Sequence, residues 1–355
     1  MAALSFILVV IVILPFLISV NIMSLLVYFT IAFVALDVLV YLISKYLILE
    51  DKLLHNLPEK PKEYQNLLIL FSIFSLIAVI ILTVLNQTNL PLLPKIAIAI
   101  TPLAYVSYRT ILYEREVKKK EDNFPMLLNA LSGLSEVMGT SQVKVVDMLR
   151  VHDFKELNKH IEDLYKRLVL SYDYFKSWFY FAVEIGSKLI ARTILIFSRA
   201  VELGGDAKKI GDKLSELFSV VLDLRKMKYQ FLSNARGMFY GGYIAFVAIL
   251  YVSLEILKLL QNLFGSISTL VSGDVFATIG LPIFTVSVDL NIIRIFIDTI
   301  VIMQAFVVAL VLKNIDGGSK LGIFIDVAVL LWISSLLALG ISKFFANFLT
   351  LNIGM

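Results

Sequence analysis

The chain alternates long apolar runs with short polar breaks, and one broad charged block interrupts that alternation near the middle. A bilayer core of about 30 Å is crossed by roughly 20 apolar residues in helical form. Seven runs reach that length, near residues 2–20, 23–48, 66–86, 90–112, 237–262, 291–313 and 321–345. Asn21 with Ser24 is expected to turn the chain between the first two. The run from Ala2 to Val20 lacks a basic start and a small-residue cleavage site, and a second run follows almost at once, so it reads as a retained span and not as a secretory signal. Gly265 to Leu290 is rich in Ser, Thr, Gly and Val without Lys or Arg, and reads as a structured loop or re-entrant segment.

Between Glu114 and Arg236 the pattern changes to successive amphipathic helices. The first opens with Lys118-Lys119-Lys120-Glu121-Asp122 and places Pro125 in its first turn, where a missing N–H costs nothing. It carries Leu127, Leu128, Leu131, Leu134 and Val137 at helical spacing and is expected to end at Gly139. Val143, Val146 and Leu149 mark a second helix, and Leu157, Ile161, Leu164 and Leu168 a third with a charged outer face. Leu189 to Leu203 closes at Gly204-Gly205, where glycine can adopt the left-handed C-cap, and Asp206 then caps the next helix. That last helix puts Ile210, Leu214, Leu217, Phe218, Val221 and Leu224 on one side and has no proline from Ala207 to Ala235, so it is expected to run to the membrane.

The reading that follows is an all-α polytopic membrane protein with about seven transmembrane helices and one cytoplasmic helical bundle. Residues 1–112 hold four spans and a short cytoplasmic loop at 49–65, residues 113–236 the bundle, and residues 237–355 three spans with an external loop at 263–290. Composition agrees. The chain is 59% hydrophobic and only 17% charged, against about 25% charged in soluble domains. With the bundle inside, the inner loops hold Lys45, Lys52, Lys60, Lys62, Lys313 and Lys320 and the outer ones only Lys95 and Lys343, which places the N-terminus inside and the C-terminus outside. Asn86-Gln-Thr88 has the form of a glycosylation site but lies too near the membrane to be read as one.

Candidate chemistry is sparse. Cysteine is absent and His55, His152 and His160 have no ligand spacing, so no metal or cofactor is expected. The net charge of +4 is too small to imply nucleic-acid binding. Gly317-Gly318-Ser319-Lys320 and Gly211-Asp212-Lys213 are fragments of a phosphate loop without its spacing, and there is no GxSxG elbow. Gly204-Gly205-Asp206 and Gly273-Asp274 lack the first glycine of the GxGD motif of intramembrane aspartyl proteases. No enzyme is expected. Ionisable groups inside spans cost about 2.5–3.5 kcal/mol and invite a functional reading. They are Asp37, Arg294, Asp298 and Asp326; Arg294 and Asp298 can pair on one helix face, Asp326 lies near Lys320, and Asp37 stands deep and alone. An ion-coupled transporter is the alternative these charges suggest, though the repeated broken helices of such proteins are missing. The basic stretches Lys118-Lys119-Lys120, Lys208-Lys209 and Arg225-Lys226-Met227-Lys228 suit an acidic partner, anionic lipid or solvent.

The block has an order of features that resembles a known family. Glu121-Asp122-Asn123-Phe124-Pro125, Leu128, Leu131, Gly139, the Val145 to Leu149 helix, Glu202 with Gly204-Gly205, and the Leu214/Leu217 helix are similar to the type II secretion F domain, and the late LKNIDGGSKL turn resembles its archaeal branch. The resemblance covers about residues 110–345. Many members have two cytoplasmic domains, whereas the first loop here is too short for one, as in tight-adherence platforms. The resemblance implies a membrane platform that is not an enzyme. It would dock a cytoplasmic assembly ATPase, release pilin-like subunits from the bilayer, and work as a homodimer or beside a related subunit. Lys118, Lys119, Lys120, Lys208, Lys209, Arg225, Lys226 and Lys228 are the candidate ATPase contacts.

Overall fold

The computed structural model describes residues 22–47, 52–88, 90–138, 142–170, 173–270 and 290–353. The expected span at 2–20, Asn21, Gly139, Gly273-Asp274 and residues 271–289 of the Ser/Thr/Gly-rich segment lie outside them. The described residues are helical, joined by short turns and one isolated β-bridge between Leu54 and Ser187. In chain order the helices are α1 (Ile22–Leu47), α2 (Lys62–Asn86), α3 (Leu92–Met138), α4 (Gln142–Leu149), α5 (Asn158–Val169), α6 (Tyr174–Ile185), α7 (Lys188–Glu202), α8 (Ala207–Leu270), α9 (Leu290–Asp316) and α10 (Ile323–Ile353). Among them, α1, α2, α3, α8, α9 and α10 are long and apolar enough to span a bilayer, which makes this a multi-pass membrane protein.

Two cores divide the molecule. The membrane core gathers α1, α3, α8, α9 and α10 around Tyr243, Phe246, Ile297, Val301, Ala305 and Leu331. Within it α9 is central, with 61% of its apolar window buried, while α2 buries 6% and presents its remaining apolar surface outward. Tyrosines on one face of α8 tie it to its neighbours. Tyr243 donates to the Val301 carbonyl at 3.1 Å and lies 2.7 Å from Ser334 Oγ, while Tyr240 donates to Asp326 at 2.6 Å. In lipid each of these polar groups needs an internal partner, so the bonds fix the register of α8 against α9 and α10.

The second core belongs to the charged block. Phe124, Leu128, Trp178, Phe181, Ile190, Phe197 and Phe218 fill it, drawn from α3, α6, α7 and α8. Phe124 is fully buried with its ring 4.9 Å from that of Phe218. Burial of each such ring stabilises the fold by about 1.5–3 kcal/mol. At Gly211 the backbone of α8 comes so close to Ser132 of α3 that any Cβ would collide. Gly204 adopts φ +85°, and Gly205 N–H returns to the Ala200 carbonyl at 2.9 Å, closing α7. Asp206 Oδ1 accepts from Lys209 N–H at 3.1 Å to start α8.

Three expectations are corrected. Pro125 does not open a helix: α3 runs from Leu92 to Met138 and contains both Pro102 and Pro125 in its interior. The burial of Phe124, Leu127, Leu128 and Leu131 against α4, α7 and α8 outweighs the hydrogen bond that proline removes. The segment from Gly265 is helical as far as Leu270, as the end of α8. Finally, Leu217 and Leu224 do not share the buried face of α8 with Phe218; they are 53% and 60% exposed.

Candidate functional site

The two cores share α3 and α8, and between them lies a buried junction built on one face of α3. Glu114, Lys118 and Glu121 recur at helical spacing, so all three point the same way. Glu114 accepts from Ser319 N–H at 2.5 Å and from Lys313 Nζ at 3.2 Å, and Lys313 also reaches Asp316 at 2.7 Å. Lys118 lies 3.7 Å from Asp316 and 3.7 Å above the Tyr229 ring of α8. One turn further along α3, both Glu121 oxygens accept from Arg225 Nη1 at 2.7 Å, and Ser187 Oγ donates to the same carboxylate at 2.5 Å. Ser187 in turn caps α7 by accepting from Ile190 N–H at 3.1 Å.

Glycine makes room for this. A methyl group on Gly318 would sit 2.5 and 2.6 Å from the Glu114 carboxylate oxygens, so only a residue without a side chain lets the turn at 317–319 close over that charge. Desolvated charges of this kind are tolerated when paired and hydrogen-bonded, and removing one partner typically costs about 3–5 kcal/mol.

A strap from Lys52 to Pro61 crosses the junction. Leu53 N–H donates to the Gly317 carbonyl at 3.1 Å, and the Leu53 carbonyl accepts from Lys188 N–H at 2.9 Å, so one residue joins the α9–α10 turn to the start of α7. His55 N–H donates to Gly186 at 3.2 Å, its Nε2 lies 2.9 Å from the Val183 carbonyl, and its Nδ1 accepts from Leu57 N–H at 3.2 Å. These bonds require the neutral ring, and burial lowers the affinity of His55 for a second proton. A cleft of about 230 Å³ opens beside the strap, lined by Lys52, Lys60, Tyr64, Tyr113 and Lys320 among others.

The residues singled out from sequence fall into distinct settings. Arg225 and Lys120 are buried, and Lys118 is taken up by the junction. Lys119 faces Glu156 at 3.9 Å, Lys208 faces Asp212 at 3.8 Å, Lys209 faces Asp206 at 3.1 Å and Lys226 faces Asp223 at 3.6 Å, all with exposed ammonium groups. Lys228 lies over the Tyr229 ring at 5.6 Å. Glu202 accepts from Arg199 at 2.7 Å on the surface. Asp298 accepts from Tyr251 of α8 at 2.5 Å with the Arg294 charge also acting on it, and Asp326 is held by Tyr240 at 2.6 Å and by Arg236 at 3.7 Å. Asp37 is buried with its Oδ2 unpartnered among the described residues. Glu114 and Ser187 have no signal in the sequence, and Lys313 and the loop holding the strap enter there only as markers of topology, because a carboxylate on a helix and a short polar loop carry no local signature. No group of three His, Cys, Asp or Glu residues arranged to hold a metal ion occurs among the described residues.

No family model matches the chain, and no solved structure does. Two curated relatives share a name. The Flagella accessory protein J of Methanocaldococcus jannaschii is 30% identical over 350 residues, 95% of this chain and 61% of that protein. The Flagella accessory protein J of Methanococcus voltae is 27% identical over 243 residues, 68% of this chain and 42% of its own length. The chain thus spans about three fifths or less of the relatives it matches, and its similarity to the first extends through nearly all of the membrane helices, the junction and the charged block.

Proposed function

We propose that this chain is the membrane platform of an archaellum-like or type IV pilus-like filament assembly machine. The charged block faces the cytoplasm, with the N-terminus inside and the C-terminus outside, as the distribution of lysines between the loops favours. It takes up motion from an assembly ATPase and passes it to the spans, where pilin-like subunits leave the bilayer. The observation that carries this reading is the continuity of α3 and α8 from the charged block into the apolar spans, locked by Glu114–Lys313 and Glu121–Arg225. A force applied to the block reaches the membrane through two unbroken helices. The similarity to two proteins named for flagella, one of them matched along 95% of this chain, supports the class of filament.

In this reading the ATPase meets Lys119, Lys208, Lys209 and Lys226, whose charges are exposed, while Arg225 and Lys118 hold the junction. The platform works as a pair, with itself or with a related subunit. Deleting the gene from its host and complementing it with the intact chain is the test: filaments should vanish and return, and the purified protein should retain an assembly ATPase. Normal filaments in the deletion strain would refute the proposal. The transporter reading rests on Asp37 alone. It requires Asp37→Asn to abolish solute or proton flux in vesicles, a change that a platform would tolerate.

A further inference from the structure

Helix α8 is apolar on two sides, and only one of them is used. Phe218 and Leu222 face the block's core, Arg225 the junction and Leu232 the membrane core. On the far side Leu217, Val220, Leu224, Met227, Phe231 and Met238 are between 53% and 78% exposed. Their spacing is three, four, three, four and seven residues, an unbroken heptad seam with Asn234, also exposed, at the one polar seam position. Apolar residues at a 3.5-residue period present a seam that packs against another helix of the same pitch. The stripe covers three heptads and about 30 Å of helix. Because α8 enters the membrane core only from about Leu232 onward, the stripe from Leu217 to Met227 projects away from the bilayer, and lipid cannot cover it there.

We infer that this seam pairs with the same seam of a second copy as a parallel two-stranded coiled coil. Two chains anchored in one membrane with the same topology bring their α8 helices together side by side and in the same direction. With Leu217, Leu224, Phe231 and Met238 at the first core position of each heptad, Asp223 flanks the seam on one side and Lys228 on the other, five residues later. Those two positions face each other across a parallel dimer, so Asp223 of each chain meets Lys228 of its partner with opposite charge. Asn234 at the core position fixes the register at some cost in stability. The seam deepens the proposal that the platform works as a pair by assigning the surface and the occupant.

The chain contains no cysteine, so single cysteines report contacts without background. Leu224→Cys, Met227→Cys and, as an exposed control off the seam, Lys226→Cys are introduced into the full chain in membranes and oxidised. Core positions of a parallel pair come within the roughly 7 Å that a disulfide spans. Disulfide-linked dimers are expected for Leu224→Cys and Met227→Cys and not for Lys226→Cys. Asp223→Lys should lower the Met227→Cys yield severalfold and Lys228→Asp should restore it. Equal linkage at the control position, linkage of the seam to a different polypeptide, or indifference to the charge swap would overturn the assignment. A dimer by mass in detergent whose seam cysteines stay unlinked refutes this surface but leaves pairing intact, whereas a monomer that never links refutes both. All three cysteine positions are exposed, so folding is not at stake, and the thermal midpoint of each variant checks this.

Discussion

Arg225 stands in a basic stretch that looks like surface, yet its guanidinium is almost wholly enclosed with Glu121. Arg225→Met should therefore lower stability by about 3–5 kcal/mol, most of it the cost of leaving the Glu121 carboxylate buried without the guanidinium that donates to both its oxygens. The double variant Glu121→Gln with Arg225→Met should recover much of that loss, read as the thermal midpoint of the full chain in detergent. Equal losses in the single and double variants would mean that the pair is not the source. At His160 the argument runs through protons. Burial, with Lys120, Lys159 and Arg167 adding to it against the opposing charge of Asp163, lowers its pKa from 6.5 to about 4. The unfolded chain takes up this proton first, so the stability contributed by neutral His160 is complete above about pH 6.5 and is lost as pH falls toward about 4. His160→Gln should flatten the fall in thermal midpoint across that window.

The strap from Lys52 to Pro61 shows what helical periodicity leaves out. Its bonds at Leu53 and His55 are made by backbone groups and by the two ring nitrogens, none of which leaves a pattern in sequence. His55→Ala removes the side-chain bonds at Val183 and Leu57 and should speed tryptic cleavage after Lys52 and Lys60, with fragments identified by mass; unchanged cleavage would show that the backbone bonds of Leu53 and residue 55 hold the strap without the ring. The spans, by contrast, were legible because 20 apolar residues in a row have few other destinies, and the Gly204-Gly205 turn because a left-handed backbone needs glycine. Helix α3 was misread at its middle. Lys118 to Asp122 resembles an exposed helix start, and Pro125 three residues on reinforces the impression, but Glu121 is buried and the helix continues. In α8 the six apolar residues were read as one face, whereas the helix has two, separated by about 140° at 100° per residue. Tertiary contact decides which apolar residues become core, and a single helix's pattern does not carry that information.

At the scale of the whole molecule, the junction makes one cooperative body of two cores. The chain's two tryptophans divide between them: Trp178 is fully buried in the core of the charged block, and Trp332 on α10 donates to Thr101 of α3 at 3.1 Å among the spans. Trp332→Phe and Trp178→Phe therefore give one reporter for each body. If α3, α8, the strap and the buried ion pairs couple them as described, both reporters should show the same thermal midpoint in the otherwise unchanged chain. Inserting a short glycine-rich segment into α8 after Gln230 breaks the helix between Arg225 and Tyr240, below the tyrosine bonds and above the Glu121 pair. Each core keeps its own apolar contacts, so both should still fold, but the midpoints should separate, the block melting before the spans. Coincident midpoints in the insertion variant would mean that α3 and the strap alone carry the coupling. Midpoints that already differ without the insertion would mean that the junction holds the two cores in place without joining them, and a platform built that way could not pass a force from one to the other.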